Sequence, residues 1–205
     1  MNEPTLRIDG EVERPRELTF ADLAALDAAD QVADVSQYDP KRKGAAVRLS
    51  GLLKLVGAKS SAKYLGLHGT LDNFHASIPL APVLDRGLLI YSLDGQPLDT
   101  KAGGPFRFLI ADYAACHTQE IDECANVKFV DHIELTALKG FDNRPEDDAQ
   151  HEALHRAAKT NSARTTRLRT PTPATRPCNI AQPNDALPKP ACWLNRHARP
   201  WPFAE

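Results

Sequence analysis

The sequence GLLIYSLDGQPLDTKAGGPFRFLIADYAACHTQEIDECANVKFVDHIELT, residues 87–136, carries the strongest structural signal in the chain. Three apolar runs rich in β-forming residues lie within it: Leu88–Leu93, Phe106–Ile110 and Val127–Leu135. The turn-forming segment DGQPLDTKAGGP separates the first two runs, and a loop separates the second from the third. This pattern predicts three strands that bring their connecting loops to one neighbourhood.

Polar and reactive side chains concentrate at the ends of these predicted strands. They are Arg107, Cys116, His117, Asn126 and Lys128. Arg107 follows two glycines and a proline, so the backbone there is able to approach a ligand closely while a guanidinium grips an anion. We therefore expect the functional site in this part of the chain, and the alternative for Arg107 is a surface ion pair at a strand end.

The remainder of the first 140 residues predicts short strands and short helices. Leu6–Val12 alternates apolar and polar residues, as a half-buried strand does. Thr19 and Ser50 each precede an apolar helical pattern and are predicted N-caps. Because strands outnumber helices without regular alternation, the sequence predicts an α+β fold built on a mixed, largely antiparallel sheet.

Five motifs in order resemble the sulfite-oxidase-like family of molybdopterin-dependent oxidoreductases. They are LRIDGEVERPRELTFADLAAL at Leu6–Leu26, DNFHASIPL at Asp72–Leu80, and then YSLDGQPL, GGPFRFLI and NVK within residues 87–136. The resemblance covers about Leu6 to Thr136. It implies one molybdopterin-binding domain over residues 5–140, with molybdopterin and its molybdenum as the cofactor.

The resemblance also implies roles for particular residues and a class of reaction. Arg107 and the segment Asn126-Val127-Lys128 match the positions that contact the terminal phosphate of the pterin. In the family, an oxygen atom moves to or from a small oxyanion or sulfoxide, so a small anionic substrate and an electron-transfer partner are expected.

The family's molybdenum-binding cysteine has no counterpart at the matching place. Residues 31–44, QVADVSQYDPKRKG, contain no cysteine, and Asp34 or Ser36 lies nearest the expected position. We predict Ser36 or Cys116 as the protein ligand of the metal; an oxygen ligand is harder than a thiolate and would alter the redox potential. The alternative is a non-catalytic binding module that takes a small anionic ligand or a protein partner.

Two further motifs suggest metal chemistry. Cys116-His117 and Cys124 could bind zinc or a softer metal, but their spacing is not that of ordinary structural zinc sites, and a disulfide or two buried thiols are the alternatives. His151-Glu152-Ala153-Leu154-His155 fits the H-E-x-x-H pattern of zinc hydrolases. Its polar flanks favour a solvated amphipathic helix instead.

Beyond Gly140 the character of the chain changes. Residues 145–159 predict a short helix, with acidic residues at its start and basic residues at its end. Residues 160–205 contain eight prolines in 46 residues and no periodicity, which predicts a disordered tail.

Composition indicates where the protein is located and which classes of partner it binds. No run of eighteen apolar residues and no secretory signal is visible in the 205 residues, so we expect a cytoplasmic protein that does not enter a membrane. The net charge is −2, and from Lys159 onward there are eight Lys or Arg against two Asp or Glu. The preceding part is therefore acidic, which argues against nucleic-acid binding by its surface at large.

Overall fold

The computed structural model describes residues 3–145. Its strands are β1 (Leu6–Gly10), β2 (Arg16–Leu18), β3 (Gln31–Val32), β4 (Ala45–Arg48), β5 (Tyr64–Gly69), β6 (Phe74–Pro79), β7 (Gly87–Leu93), β8 (Gln96–Pro97), β9 (Arg107–Ile110) and β10 (His132–Thr136). Its α-helices are α1 (Phe20–Ala24), α2 (Leu49–Val56) and α3 (Leu80–Val83). Single 3₁₀ turns occur at Ala28–Asp30, Val35–Gln37, Thr100–Ala102, Tyr113–Cys116 and Glu123–Ala125.

The Pro-rich tail predicted over 160–205 lies outside the described residues, as does the H-E-x-x-H motif at 151–155. The helix predicted over 145–159 also lies outside them, apart from its first residue. These features, and the domain boundaries drawn from them, stay predictions.

The strands form two five-stranded sheets. Sheet 1 has the strand order β2-β1-β10-β5-β6, and sheet 2 has the order β3-β4-β7-β8 with β9 also paired to β7. β1 and β10 run parallel, whereas the other strand pairs in residues 3–145 are antiparallel. The predicted α+β fold with a mixed, largely antiparallel architecture is therefore confirmed.

The main core is formed by both sheets and the helices. Alternation along the strands of sheet 1 turns Ile8, Leu67 and Ile133 into this core, where each is at most 1% exposed. Leu89 and Phe108 enter the same core from sheet 2. The opposite face of sheet 2 carries a smaller apolar cluster, which consists of Val32, Val35, Ala46, Leu88, Ile90, Leu98 and Leu109.

The two predicted helix caps had different outcomes. Thr19 forms a complete capping box with Asp22, as predicted. The prediction for Ser50 was wrong, because α2 begins one residue earlier, at Leu49, and its N-cap Arg48 makes no side-chain capping bond. Burial of Leu49, Leu52 and Val56 against the core sets the start of this helix instead. No helix in residues 3–145 is long and apolar enough to cross a bilayer.

The third strand within residues 87–136 is shorter than predicted. Residues 127–131 are irregular, and β10 begins only at His132. Phe129 adopts a positive φ of 54°, which interrupts the extended backbone. The irregular residues are nevertheless held in place, because the amides of Phe129 and Val130 donate to the carbonyl oxygens of Gly103 and Phe106.

A segment after β10, residues 139–144, lies along edge strand β6; we call it the strap. The backbone amide and carbonyl of His75 both hydrogen-bond to Asn143, and the Gly140 amide donates to the hydroxyl of Ser77. The Arg144 guanidinium donates to the carboxylates of Asp142 and Asp122. Since the side chains of Arg144 and Asp142 are only 8% and 12% exposed, their ion pair is largely shielded from solvent.

We predict that Asp142→Asn destabilises the protein in a pH-dependent way. Burial alone would raise the pKa of Asp142, but the hydrogen bonds and charge of Arg144 outweigh it and hold the pKa below the ordinary 3.8. The carboxylate therefore stabilises the folded state above pH 3.8 and stops doing so as the pH falls below that value. The substitution should lower the free energy of unfolding at pH 7 by about 1.5–3 kcal/mol.

Urea unfolding measured at several pH values checks this prediction. The difference between wild type and Asp142→Asn should shrink as the pH is lowered through 3.8. The control is Asp94→Asn, which removes an exposed carboxylate from the β7–β8 turn and should leave stability within about 0.5 kcal/mol. A pH-independent difference would contradict the role given to the ion pair.

Candidate cofactor-binding site

A basic pocket of about 330 Å³ opens beside sheet 2. Its walls bring together the loop before β4, the end of β7, the 3₁₀ turn at Thr100–Ala102 and the first residue of β9. The lining residues are Pro40, Lys41, Arg42, Lys43, Ile90, Leu93, Leu98, Lys101, Ala102 and Arg107. Five of these ten side chains are cationic, so the pocket is suited to an anion.

The cationic loop is held in a defined conformation at its two ends. The amide of Val35 donates to the carbonyl of Gly44 at 2.9 Å. The Asp34 carboxylate accepts from the amides of Ser36 and Gly44 and from the hydroxyl of Ser36. Because these bonds close the loop at its base, Lys41, Arg42 and Lys43 are presented together at the pocket.

Arg107 is a buried cation without a full set of partners. The residue is 7% exposed, and its Nη1 donates to the carbonyl of Ala102 at 3.4 Å. Its Nε has no hydrogen-bond partner within the described part of the chain. Burial, together with the charge of nearby Arg42, lowers the pKa of Arg107 to about 10 against the opposing effect of Asp39. The guanidinium is still charged at neutral pH, and an anionic ligand would supply the missing counter-charge.

Gly103 is the point at which Arg107 and Lys128 come together. A Cβ atom on Gly103 would lie 3.3 Å from both Nη1 of Arg107 and Cγ of Lys128. Its φ of +93° is also one that other residues adopt only with strain. The missing Cβ of the glycine therefore leaves room for both cationic side chains.

Asn126 and Val127 hold the backbone that carries Lys128. The Asn126 side-chain oxygen accepts from the amide of Ile110 at 2.7 Å, and the Val127 carbonyl accepts from the amide of Phe108 at 2.8 Å. Val127 is buried, whereas Lys128 is exposed. The structure thus brings Arg107 and Lys128 together and places Asn126 and Val127 behind them; their assignment to the cofactor stays a prediction.

The two predicted metal ligands lie in different places. The Ser36 hydroxyl donates to Asp34 at 2.6 Å at the base of the cationic loop. Cys116 lines a separate pocket with Pro82, Asp85, Arg86 and Ala115. Burial raises the pKa of the Cys116 thiol, although the charge of Arg86 works in the opposite direction. The structure does not bring Ser36 and Cys116 together, and neither lines the basic pocket.

The loop that contains Cys116, His117 and Cys124 shows no arrangement for a metal. Cys116 and Cys124 are not joined in a disulfide bond. No group of three or more His, Cys, Asp or Glu side chains in residues 3–145 is arranged to hold a metal ion. Of the alternatives for this loop, free thiols describe what the structure shows.

Sequence inspection missed the four lysine and arginine residues that line the pocket with Arg107. They are Lys41, Arg42, Lys43 and Lys101. The signal for the first three was the run KRK in a loop that resembled an ordinary charged turn. Only the packing of this loop against the turn at Thr100–Ala102 shows that these charges converge.

Comparison with known proteins gives the family. The family model described as the oxidoreductase molybdopterin binding domain matches residues 2–139. The chain belongs to this family. The resemblance to sulfite-oxidase-like proteins is therefore confirmed, and molybdopterin is the cofactor that membership indicates.

Two individual proteins are similar to this domain. A putative protein-methionine-sulfoxide reductase subunit, YedZ1, from Azospira oryzae is 33% identical over 106 residues, which cover 50% of this chain and 40% of that protein. The sulfane dehydrogenase SoxCD from Paracoccus pantotrophus matches with a TM-score of 0.50 and 20% identity, over 66% of this chain and 39% of that one. The second likeness shows the fold. The chain spans about two fifths of the length of each.

The basic pocket fits a cofactor that carries a phosphate. Within the described part of the chain Nε of Arg107 is buried and unpaired, and Arg107 and Lys128 both lie beside Gly103. A guanidinium forms paired hydrogen bonds to phosphate oxygens, and an ammonium adds a point charge. The residues present therefore suit the anionic end of molybdopterin.

We predict that Gly103→Ala lowers cofactor content through a steric effect. The matched control is Gly95→Ala, because Gly95 also has a positive φ, +74°, but a Cβ there would meet nothing within 4 Å. Each substitution should cost about 1–2 kcal/mol of stability from backbone strain alone. Only Gly103→Ala should displace Arg107 and Lys128, and only it should reduce molybdenum and pterin per protein. Equal cofactor content in the two variants would contradict the assignment.

Proposed function

We propose that this domain binds molybdopterin at the basic pocket and serves an oxidoreductase that transfers an oxygen atom to or from a sulfoxide or small oxyanion. The family supplies the cofactor, and the name of the Azospira oryzae relative favours a sulfoxide. The single observation that carries the proposal is the buried guanidinium of Arg107, which residues 3–145 pair only in part.

The protein side chains have separate tasks in this proposal. Arg107 and Lys128, which both lie beside Gly103, hold the phosphate end of the cofactor. Lys41, Lys43 and Lys101 add positive charge at the mouth of the pocket, which raises the local concentration of anionic ligands. When bound, the cofactor supplies a molybdenum centre that changes oxidation state as an oxygen atom is transferred.

The reaction requires a partner that exchanges electrons. Reduction of a sulfoxide to a sulfide releases the oxygen as water and consumes two electrons and two protons. Neither the sulfoxide nor the protons supply these electrons, so an external donor is required. We therefore propose an electron-transfer partner, in keeping with the description of the Azospira oryzae relative as a subunit.

Ser36 remains our proposed protein ligand for the metal on the cationic loop, with Cys116 as the alternative. The hydroxyl proton of Ser36 is directed to Asp34, so the lone pairs of its oxygen are left to accept. Asp34 is also placed to receive that proton. An alkoxide at Ser36 would need this transfer, because a neutral hydroxyl is a weak ligand.

A specific observation also favours a second function, a non-catalytic binding module for a small anion or a protein partner. The segment 31–44 contains no cysteine, and neither Cys116 nor Cys124 lines the basic pocket. The cationic pocket would bind an anion without any thiolate ligand for a metal. Cofactor content separates the two functions.

The test is to measure molybdenum and oxidised pterin in protein purified from a host that makes the cofactor. We expect near-stoichiometric amounts in the wild type and loss of both in Arg107→Ala. Arg16→Ala, which removes an exposed arginine from β2, should retain both. Full retention in Arg107→Ala would show that the phosphate is held elsewhere. Absence from the wild type would favour the binding module.

Activity and stability supply an independent readout. Loaded wild-type protein should reduce methionine sulfoxide with electrons from a reduced dye, and Ser36→Ala should slow this reaction without loss of pterin. In cofactor-free protein, Arg107→Met should raise the free energy of unfolding by about 1 kcal/mol, because an unpaired buried charge is removed. Arg16→Met should change it by less than about 0.5 kcal/mol. Destabilisation by Arg107→Met would mean that Arg107 serves the fold rather than a ligand.

A further inference from the structure

Three histidines on adjacent strands form a row across sheet 1. Strand register pairs His132 on β10 with His68 on β5, and His68 with His75 on β6. Their strand neighbours Leu67, Ala76 and Ile133 point into the core, so the row lies on the opposite face. The ring centroid of His68 is 5.1 Å from that of His75 and 5.0 Å from that of His132.

The His68–His75 pair has an unusual arrangement of nitrogens. Nδ1 of His68 lies 3.0 Å from Nδ1 of His75. The other nitrogen of each ring faces an acceptor: Nε2 of His75 is 3.2 Å from the side-chain oxygen of Asn73, and Nε2 of His68 is 3.7 Å from the Glu134 carboxylate. Nε2 of His68 is also buried and makes no hydrogen bond to any described residue.

These contacts leave two arrangements of the ring protons. A neutral imidazole has one N–H donor and one lone pair, and an acceptor beside Nε2 favours the proton there. With both protons on Nε2, the two Nδ1 lone pairs face each other across 3.0 Å and repel unless a metal ion accepts both of them. Without a metal, one Nδ1 carries a proton and donates a hydrogen bond to the other.

We propose that His68 and His75 bind a divalent transition-metal ion between their Nδ1 atoms. Two nitrogens that each lie about 2.0–2.1 Å from a metal, at a right angle to one another, are separated by about 3 Å. The observed separation of 3.0 Å matches this value. Imidazole pairs suit copper, nickel and zinc, of which Cu²⁺ binds most tightly.

The surroundings of the pair support a metal. Metal-binding histidines commonly donate their second N–H to an oxygen, which is the arrangement of His75 with Asn73. Burial, followed by the charges of His132 and His75, lowers the pKa of His68 against the effect of Glu134, so its ring is neutral and able to bind a metal at pH 7. Gly66 makes space for the His68 ring, since a Cβ there would lie 2.9 Å from Nε2.

The site supplies two protein ligands. No group of three or more potential ligands is arranged around an ion within residues 3–145, and water completes the coordination. His132 is not part of such a group in the described residues, and its Nε2 is 2.7 Å from the Asp9 carboxylate. The ion would join β5 to β6 beside the strap, whose Asn143 hydrogen-bonds to the backbone of His75. This site is separate from the basic pocket, which is lined by sheet 2 and its loops.

The first test counts Cu²⁺ ions bound by chelator-treated, full-length protein at pH 7.5 and compares variants. His68→Gln and His75→Gln should each lose one bound equivalent relative to the wild type. His132→Gln and His117→Gln, which leave the pair intact, should lose none from this site. Equal stoichiometry in the wild type and both pair variants overturns the proposal.

The second test does not depend on removal of a ligand. In Zn²⁺-loaded protein, a long-range ¹⁵N–¹H correlation spectrum should show His68 and His75 protonated at Nε2, with both Nδ1 signals shifted by the metal. Asn73→Gly removes the acceptor at a position whose φ of 53° glycine tolerates, and it should weaken binding by about tenfold or more. An Nδ1–H proton on either ring in the loaded protein overturns the proposal.

Discussion

The segment from Gly103 to Ile110 must form hydrogen bonds on two sides at once, and the architecture of the domain depends on this constraint. On one side β9 pairs with β7 of sheet 2. On the other side, Phe108 donates to Val127, and the residues that follow Val127 continue directly into β10 of sheet 1. One short strand therefore links the two sheets. Hydrogen bonds on both sides hold this backbone in place. The Cα atom of Arg107 is therefore held at the wall of the basic pocket.

Arg107 shows the cost of this pre-organisation. A guanidinium that is 7% exposed loses most of its hydration, yet the described residues offer its Nη1 only one carbonyl and its Nε nothing. Nearby cations in the pocket increase the cost. An anionic ligand can form the hydrogen bonds and the ion pair that such a group lacks. Pairing of the buried charge then contributes to the free energy of binding. The family to which the chain belongs gives that ligand a chemical identity.

Periodicity and turn chemistry predicted the fold well, because these signals are local. The alternation in Leu6–Val12, the capping box at Thr19 and the glycine-rich turn before β9 all formed as expected. The failures came where tertiary contacts override local preference. Packing of Leu49 starts α2 before Ser50. The positive φ at Phe129 delays the start of the predicted strand to His132, because the backbone there must bond to Gly103.

The residues of the sites were harder to predict, for a different physical reason. The motif around Arg107 is contiguous and could be recognised, whereas the cations at 41–43 join it only through packing of loops about sixty residues apart. The histidine row was even harder to predict, because His68, His75 and His132 are brought together only by the register of three strands. A shift of one residue in that register would turn the ring of His132 into the core. Chemistry that arises from register is invisible along the chain, and the proposed metal pair could be identified only after the sheet was known.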